Sequence, residues 1–254
     1  MRIILVLLLL LSLPVFAQTG RIKDVNTIGW YTNQTTLRFH PKWSGHLEYQ
    51  WRRDELIKHG QQGLLRTGIS YEATDRLQLR AGYAWAETYP YGDIPIQAIG
   101  RTYTEHRAFQ MATLTDEVGR VGLSHRLMLE QRWVGQYQDP QAEKEDVFRY
   151  TNRVRYMLRA QVPLNKPTMG DKTLYVAGYD EILMGFGKNV GENVFDQNRL
   201  SLLLGYRFSK AFRLEAGYLQ QIVQLGREVE GRNVFQHNRG LILNTYLNFD
   251  LSGR

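Results

Sequence analysis

Arginine and glutamate side chains at every second position are the residues of this sequence best placed to do chemistry. Residues 148–162 read FRYTNRVRYMLRAQV, in which the odd positions carry four arginines and the even positions are almost all apolar or aromatic. Guanidinium groups bind carboxylates through paired hydrogen bonds, and an unbalanced set of them attracts anions. The pattern therefore predicts either a network of ion pairs or an anion-attracting surface.

The same alternation in other segments places further charged side chains on one face. The residues predicted to line an interior are Arg126, Glu130, Arg132, Arg149, Arg153, Arg155, Arg159, Glu181, Arg199, Arg207, Arg213 and Glu215. Earlier segments add Arg52, Arg66, Arg80 and Glu48 to the same face. The first interpretation is that arginines and glutamates pair across a narrow lumen and fill it. The alternative is that the excess of arginines leaves a constriction that favours small anionic solutes.

Patterns that would indicate catalysis or metal binding are weak. Ser124 and His125 are adjacent, so in a strand they point to opposite faces and cannot form a dyad. His46 and Glu48 do share a face, but a serine beside them would have to be Ser44 or come from another strand. The six histidines show no paired ligand spacing and the chain has no cysteine. We expect no enzymatic activity, cofactor or metal, and a lipid-modifying enzyme at a barrel rim is kept as an alternative.

The elements that carry these charges are predicted to be strands. A helix would scatter the four arginines of residues 148–162 around its circumference, whereas a strand places them all on one side. The segment is longer than the five or six residues of a typical strand and exceeds the roughly 9–11 residues that cross a bilayer. A soluble sheet would bury the apolar face. A transmembrane barrel instead turns it to lipid and keeps the arginines in a wet interior.

Two-faced segments of this kind recur along the whole chain. Clear ones are residues 43–52, 64–71, 77–85, 121–133, 199–208, 213–222 and 240–251. The faces of residues 103–115 are not assigned, and in residues 173–186 Glu181 is placed inward. A secreted lipocalin-like barrel is the competing fold, but it would need about eight strands with apolar side chains inside. The number of segments exceeds that.

The connections alternate between short turns and longer loops, as they do in outer-membrane barrels. This predicts that the long loops lie outside and that both chain termini lie on the periplasmic side. Eleven segments are clear, the first being residues 28–39, and an odd number conflicts with that placement of the termini. We therefore predict an all-β, up-and-down antiparallel transmembrane barrel of about twelve strands. The extra short strand falls within residues 20–31, with a turn near Asn33 and Gln34, and ten strands are the alternative.

The start of the chain indicates export. Residues 1–17 combine one arginine, an apolar run and a small residue at Ala17, which is typical of a cleaved signal peptide. Residues 18–254 then form a single outer-membrane barrel domain. The formal net charge of +7 is spread through strands, so nucleic acid is not an expected partner. The expected location is the bacterial outer membrane, with outer-membrane lipid and a small anionic solute as candidate partners.

Several stretches resemble a known family. They are WYTNQTTLRFHPKWSGHLEYQWR, GISYEATDRLQLRAGYAW, RTYTEHRAFQ, YTNRVRYMLRAQVPL, GYDEILMGF and QNRLSLLLGYRFSKAFRLEAGY. Together they are similar to the domain of unknown function 2490 family over essentially all of residues 18–254. The resemblance implies an outer-membrane β-barrel from a Gram-negative bacterium. It implies no activity, because the family has none to carry over.

Overall fold

The computed structural model describes residues 20–191 and 193–253, and every helix or strand assigned within them is a strand. The strands are β1 (Arg21–His40), β2 (Trp43–Asp54), β3 (His59–Glu72), β4 (Leu77–Thr88), β5 (Tyr103–Val118), β6 (Val121–Gln136), β7 (Val147–Pro163), β8 (Thr173–Phe186), β9 (Phe195–Arg207), β10 (Phe212–Val229) and β11 (Arg232–Asp250). No helix in these residues is long and apolar enough to cross a membrane. The predicted signal peptide, residues 1–17, lies outside the described residues and stays a prediction.

The strands form one closed barrel in chain order. Each strand pairs antiparallel with the next, and the barrel closes where β1 and β11 run parallel, from Arg21 opposite Asn233 to Arg38 opposite Asp250. No turn joins these two strands, so nothing forces them to be antiparallel as a hairpin would. The predicted all-β, up-and-down barrel is confirmed, and its strand count is one below the predicted twelve.

The predicted short twelfth strand is absent from the described part of the chain because β1 continues through the expected turn. Asn33 lies opposite Tyr49 of β2 and Thr245 of β11, so both neighbouring strands hydrogen-bond with this region. Residues 30–40 contain neither glycine nor proline, the residues that most often interrupt a strand. A single strand of 20 residues therefore replaces the predicted pair.

The odd strand count also overturns the prediction that both termini lie at one end. Arg21 and Asp250 lie at opposite ends of the barrel, because β1 and β11 are parallel. The end that holds Asp250 carries the turns at residues 41–42, 73–76, 119–120, 164–172 and 208–211 and is called the turn end. The other end, the loop end, carries residues 55–58, 89–102, 137–146 and 187–194. The last connection at the loop end is only residues 230–231, because β10 and β11 pair with each other beyond the point where β10 pairs with β9.

Apolar side chains cover the outside of the barrel. In β7, Tyr156 and Leu158 are exposed while Arg153 and Arg155 are buried, which is the arrangement that period-two alternation predicts. The interior is not uniformly polar, however. Part of it is an apolar cluster of Ile28, Trp30, Tyr175, Ala177, Leu203, Leu219 and Ile242.

The ring of Tyr175 lies flat against Gly205 on the neighbouring strand. A Cβ atom at Gly205 would lie 2.2 Å from that ring, so only glycine leaves room for it. The tyrosine hydroxyl then reaches Glu215 Oε1 at 2.7 Å, so an apolar contact and a buried hydrogen bond share one side chain. Apolar packing is therefore part of what fills this barrel.

Cysteine cross-linking tests the parallel closure directly, because the chain has no cysteine of its own. Thr35 and Leu247 are register partners on β1 and β11, so we expect T35C with L247C to form a disulfide on mild oxidation. The pair T35C with Y246C is shifted by one residue, which puts its side chains on opposite faces, and should stay reduced. Mass mapping of the oxidised peptides measures both. A twelve-stranded barrel with another closing register would leave the first pair unlinked.

Candidate functional site

Three glutamate–arginine pairs lie directly opposite each other across neighbouring strands. Glu48 of β2 faces Arg66 of β3. Glu130 of β6 faces Arg153 of β7, and Glu181 of β8 faces Arg199 of β9. Because directly opposed residues in a sheet share a face, each register match brings opposite charges together inside the barrel.

The central pairs are joined into a chain by arginines that each bind two acids. Arg153 binds Glu130 at 2.7 Å and Asp196 at 2.6 Å. Arg155 binds Glu130 at 3.2 Å and Glu181 at 2.8 Å. Arg153 and Glu130 are each only 1% exposed. These charges have left water entirely and are stabilised by one another.

Further arginines complete the binding of Glu181. Arg126 reaches it at 2.8 Å from β6, and Arg199 reaches it at 3.2 Å from β9. Glu181 therefore holds three guanidinium groups from three different strands. Because β6, β7, β8 and β9 are consecutive in the barrel, the node fixes the relative positions of four adjacent strands.

Two further groups of buried ion pairs, here called branches, lie on β2 and β3 and on β5 and β6. Glu105 of β5 accepts two hydrogen bonds at 2.8 Å from Arg107 and also binds Arg132 of β6. Glu48 accepts Arg66 Nη1 at 2.9 Å and lies 3.3 Å from His46. All the acids of these branches are buried, so their pairing is the main source of their stability inside the barrel.

We call this network the partition, defined by Glu48, Arg66, Glu105, Arg107, Glu130, Arg132, Arg153, Arg155, Glu181, Asp196 and Arg199. It lies between two cavities of the barrel interior. The loop-side cavity has a volume of about 790 Å³ and the turn-side cavity about 700 Å³. Arg52 and Arg199 line both cavities, so they mark the level at which the cavities meet.

Trp30 lines the turn-side cavity and contacts both of these arginines. The Arg52 guanidinium lies 3.9 Å from the centre of the indole ring, and that of Arg199 lies 5.1 Å from it. The indole Nε1 donates to Gln61 Oε1 at 2.7 Å, which fixes the plane of the ring. Cation–π contacts of this kind, away from water, stabilise both arginines.

Two interior arginines have only neutral partners. Arg52 binds the side-chain oxygens of Gln50 and Gln62, and Arg80 binds Ser70 at 2.7 Å and Gln78 at 3.0 Å. Neither forms an ion pair with any residue in the described ranges. Both line the turn-side cavity, which therefore presents uncompensated positive charge.

A separate cluster lies around Glu215, nearer the turn end. Glu215 binds Arg159, accepts the Tyr175 and Tyr246 hydroxyls at 2.7 and 3.0 Å, and has Arg213 at 3.9 Å. The Arg213 guanidinium lies 3.9 Å from the centre of the Tyr246 ring. A single fully buried carboxylate thus organises two arginines and two tyrosines.

Ten of the twelve residues predicted to line the interior belong to the buried groups described above, and two do not. The ten belong to the partition, to the Glu215 cluster or, as Arg126, to the Glu181 node. Arg149 is exposed at the mouth of the loop-side cavity. Arg207 lies at the turn end, where it is 3.7 Å from Asp171. Arg149 and Arg207 are therefore remote from the centre of the network.

Sequence reasoning missed Glu105, Arg107, Asp196 and the role of Trp30. Glu105 and Arg107 lie in the strand whose faces were not assigned, although their spacing of two residues and the facing Arg132 carried the signal. Asp196 is the extra residue of a β-bulge between β8 and β9, so simple alternation does not place it. Trp30 is uncharged, so the pattern of charged residues gave no reason to select it.

The loop of residues 89–102 covers the loop-side cavity. The buried Tyr91 donates its hydroxyl to Gln236 Oε1 at 2.7 Å, and burial raises the pKa of Tyr91 to about 12, so the donor proton is kept at neutral pH. Arg227 Nη2 binds the Pro95 carbonyl at 2.7 Å, and Gln97 binds the carbonyl of Gly135 at 2.7 Å. The loop is thus tied to β10, β11 and β6 across the barrel mouth.

Gly92 lets this loop enter the barrel. Its φ of +70° lies in the left-handed region, and a Cβ there would lie 2.5 Å from Asn26 Oδ1. The close approach places the loop directly against the inward side chains of β1. A larger residue at this position would push the loop outward.

The residues considered for catalysis are placed apart. His125 points outward and hydrogen-bonds the Tyr156 hydroxyl at 2.8 Å, whereas Ser124 lines the turn-side cavity. His46 Nδ1 has no hydrogen-bond partner in the described part of the chain, so neither Ser44 nor any other described serine hydroxyl reaches it. Among residues 20–191 and 193–253, no group of three or more histidines or acids has metal-binding geometry.

Comparison with known proteins identifies one family and one solved structure. The family model described as "Protein of unknown function (DUF2490)" matches residues 27–231. A solved structure described as the NanC porin in a rhombohedral crystal form is similar over 81% of this chain and 91% of that chain, at 11% identity and a TM-score of 0.45. No curated protein matches the chain.

Proposed function

The chain belongs to the domain of unknown function 2490 family, and from that premise we propose that it is an integral outer-membrane β-barrel whose lumen the partition keeps closed. The barrel is closed on itself, so it has no free strand edge, and its strands expose apolar side chains on the outside. Only closed barrels and helices satisfy every backbone hydrogen bond inside a bilayer. The predicted signal peptide provides the export route. The long loops then face outward and the turn end faces the periplasm.

The observation that carries the closed state is the burial of the partition. Arg153 and Glu130 are each 1% exposed, and Trp30 occupies the level where the two cavities meet. A water-filled passage at this level would leave at least one of these side chains exposed to solvent. The ion pairs also join strands that are neighbours or lie two apart in the wall, which supports a stabilising role.

Single-channel recording tests the closed state. We expect the refolded mature chain to insert into a planar bilayer and to give no steady conductance steps. Insertion is checked independently by protease protection and by the far-ultraviolet circular dichroism of β-structure. Steady steps from the wild-type chain in a salt gradient would refute closure.

A narrow anion-leaning pore is the second candidate function. It is favoured by Arg52 and Arg80, which face the turn-side cavity without a carboxylate partner. Basic constrictions of this kind select for anions. Conducting wild-type barrels with an anion-selective reversal potential would establish this function, and cation preference would exclude it.

A further inference from the structure

A cluster of outward-facing cations lies at the loop end of β1 and β11. Arg21 and Lys23 occupy successive outward positions on β1, and Phe235, His237 and Arg239 do so on β11. The parallel register places Lys23 opposite Phe235 and Arg239 opposite Thr27, so the two rows interleave. We call Arg21, Lys23, Phe235, His237 and Arg239 the basic rim.

The basic rim borders a surface pocket of about 640 Å³ that is apolar on one side. Arg21, Lys23 and His237 line it together with Phe195, Ile222 and Phe235. The Phe195 and Phe235 rings lie 6.4 Å apart, and the Arg21 guanidinium lies 4.8 Å from the centre of the Phe235 ring. The pocket thus pairs an aromatic wall with a row of positive charge.

The charges of the basic rim are not balanced by the protein. The exposed ion pairs formed within the described residues are Lys58–Glu55, Arg76–Asp116, Arg207–Asp171 and Arg232–Glu230, none of which includes a basic-rim residue. The nearest acid in register is Glu228, which lies opposite Asn233 and one strand further from Arg21. His237 Nδ1 is buried without a hydrogen-bond partner in that part of the chain. An external anion would balance the exposed charges of Arg21, Lys23 and Arg239.

The basic rim begins where the apolar outer surface of the same strands ends. Leu241 follows Arg239 by two residues on β11 and is exposed, as are Tyr218 on β10 and Leu200 on β9. A molecule bound here would contact apolar side chains below and cations above. That combination fits a lipid whose acyl chains follow the strands and whose headgroup carries phosphate.

We propose that the basic rim binds the phosphate groups of a phosphorylated glycolipid in the membrane leaflet that faces the long loops. The inference rests on the proposed outer-membrane placement, since only that placement puts the pocket at the headgroup level. Free phosphate would leave the aromatic wall of the pocket unused. The acyl chains of the lipid contact the apolar side chains, and its phosphates supply the negative charge that the protein lacks at this site.

The test compares lipid binding by the refolded barrel in zwitterionic detergent, measured by native mass spectrometry with lipid A that carries two phosphates. K23Q with R239Q removes two charges from the basic rim, and we expect this variant to bind about 30-fold more weakly. K42Q with K210Q removes two exposed charges at the turn end and should bind like the wild type. Lipid A stripped of phosphate should bind the wild type as weakly as intact lipid A binds the basic-rim variant.

The lipid comparison uses unmodified protein, so its outcome does not depend on how any variant folds. Equal binding of phosphorylated and stripped lipid would overturn the proposal, as would equal weakening by the turn-end variant. Full displacement of the lipid by excess inorganic phosphate would also overturn it, in favour of a site for free anions. Membrane fractionation tests the placement separately. A chain absent from the outer membrane refutes the proposed function, whereas an outer-membrane chain without phosphate preference refutes only this inference.

Discussion

Replacing Glu130 by alanine should lower the free energy of unfolding by about 3–5 kcal/mol, because it leaves two buried guanidinium groups short of a partner. Arg153 loses its contact at 2.7 Å and Arg155 its contact at 3.2 Å, and the two residues are only 1% and 5% exposed. Asp196 and Glu181 still bind these arginines, so the barrel should fold but melt earlier. Urea unfolding of the refolded barrel in detergent, followed by tryptophan fluorescence, measures the change.

The exposed pair Arg76–Asp116 is the matched control. It has a similar separation of 3.1 Å, but its side chains are 71% and 49% exposed. D116A should therefore cost less than about 1 kcal/mol. E130A combined with R153M removes both charges and should recover part of the loss, which a double-mutant cycle quantifies. If E130A and D116A cost the same, the partition does not stabilise the barrel.

The two faces of β7 could be predicted because the alternation of apolar and charged residues is visible in the sequence of that strand alone. Because Tyr156 and Leu158 alternate with Arg153 and Arg155, the strand has an apolar outer face and a charged inner face. The partners of those arginines were not predictable. The contact of Arg155 with Glu181 joins strands whose register depends on the whole sheet.

In strand β5 this alternation does not identify the two faces. Its outward residues include Thr104, His106 and Gln110, so its outer face is less apolar than that of β7. His106 there bonds the hydroxyl of Tyr83, and this partner on β4 lets a polar side chain lie on the outer wall. Because both faces of β5 mix polar and apolar residues, the sequence of this strand alone does not show that Glu105 points inward.

Strand number and closure are also properties of the whole barrel. The odd number of clear segments was read correctly from the sequence. The inference that termini must share an end was wrong, because the closing pair has no connecting turn to impose antiparallel order. The cap formed by residues 89–102 depends likewise on contacts with β10 and β11, more than 100 positions away in the chain.

Trp30 is the single side chain whose loss should change function most. It is 4% exposed and lies between Arg52 and Arg199, the two residues that line both cavities. We expect W30A to join the cavities and to convert a silent barrel into one with steady conductance steps. Those steps should favour anions, because Arg52 and Arg80 then face the open path without carboxylate partners. Single-channel recording in a salt gradient gives both the conductance and the reversal potential.

The outer wall supplies the control for this experiment. Trp43 is 43% exposed and packs on Tyr71 outside the barrel, so W43A removes an indole without touching the partition and should stay silent. W30A costs about 3–5 kcal/mol by cavity formation, so its insertion is verified before current is measured. A folded but silent W30A barrel would mean that the ion pairs alone block the lumen, and E130A added to W30A would then be needed to open it. Cation-selective steps would instead show that the acids of the partition, and not the unpaired arginines, set the potential along the path.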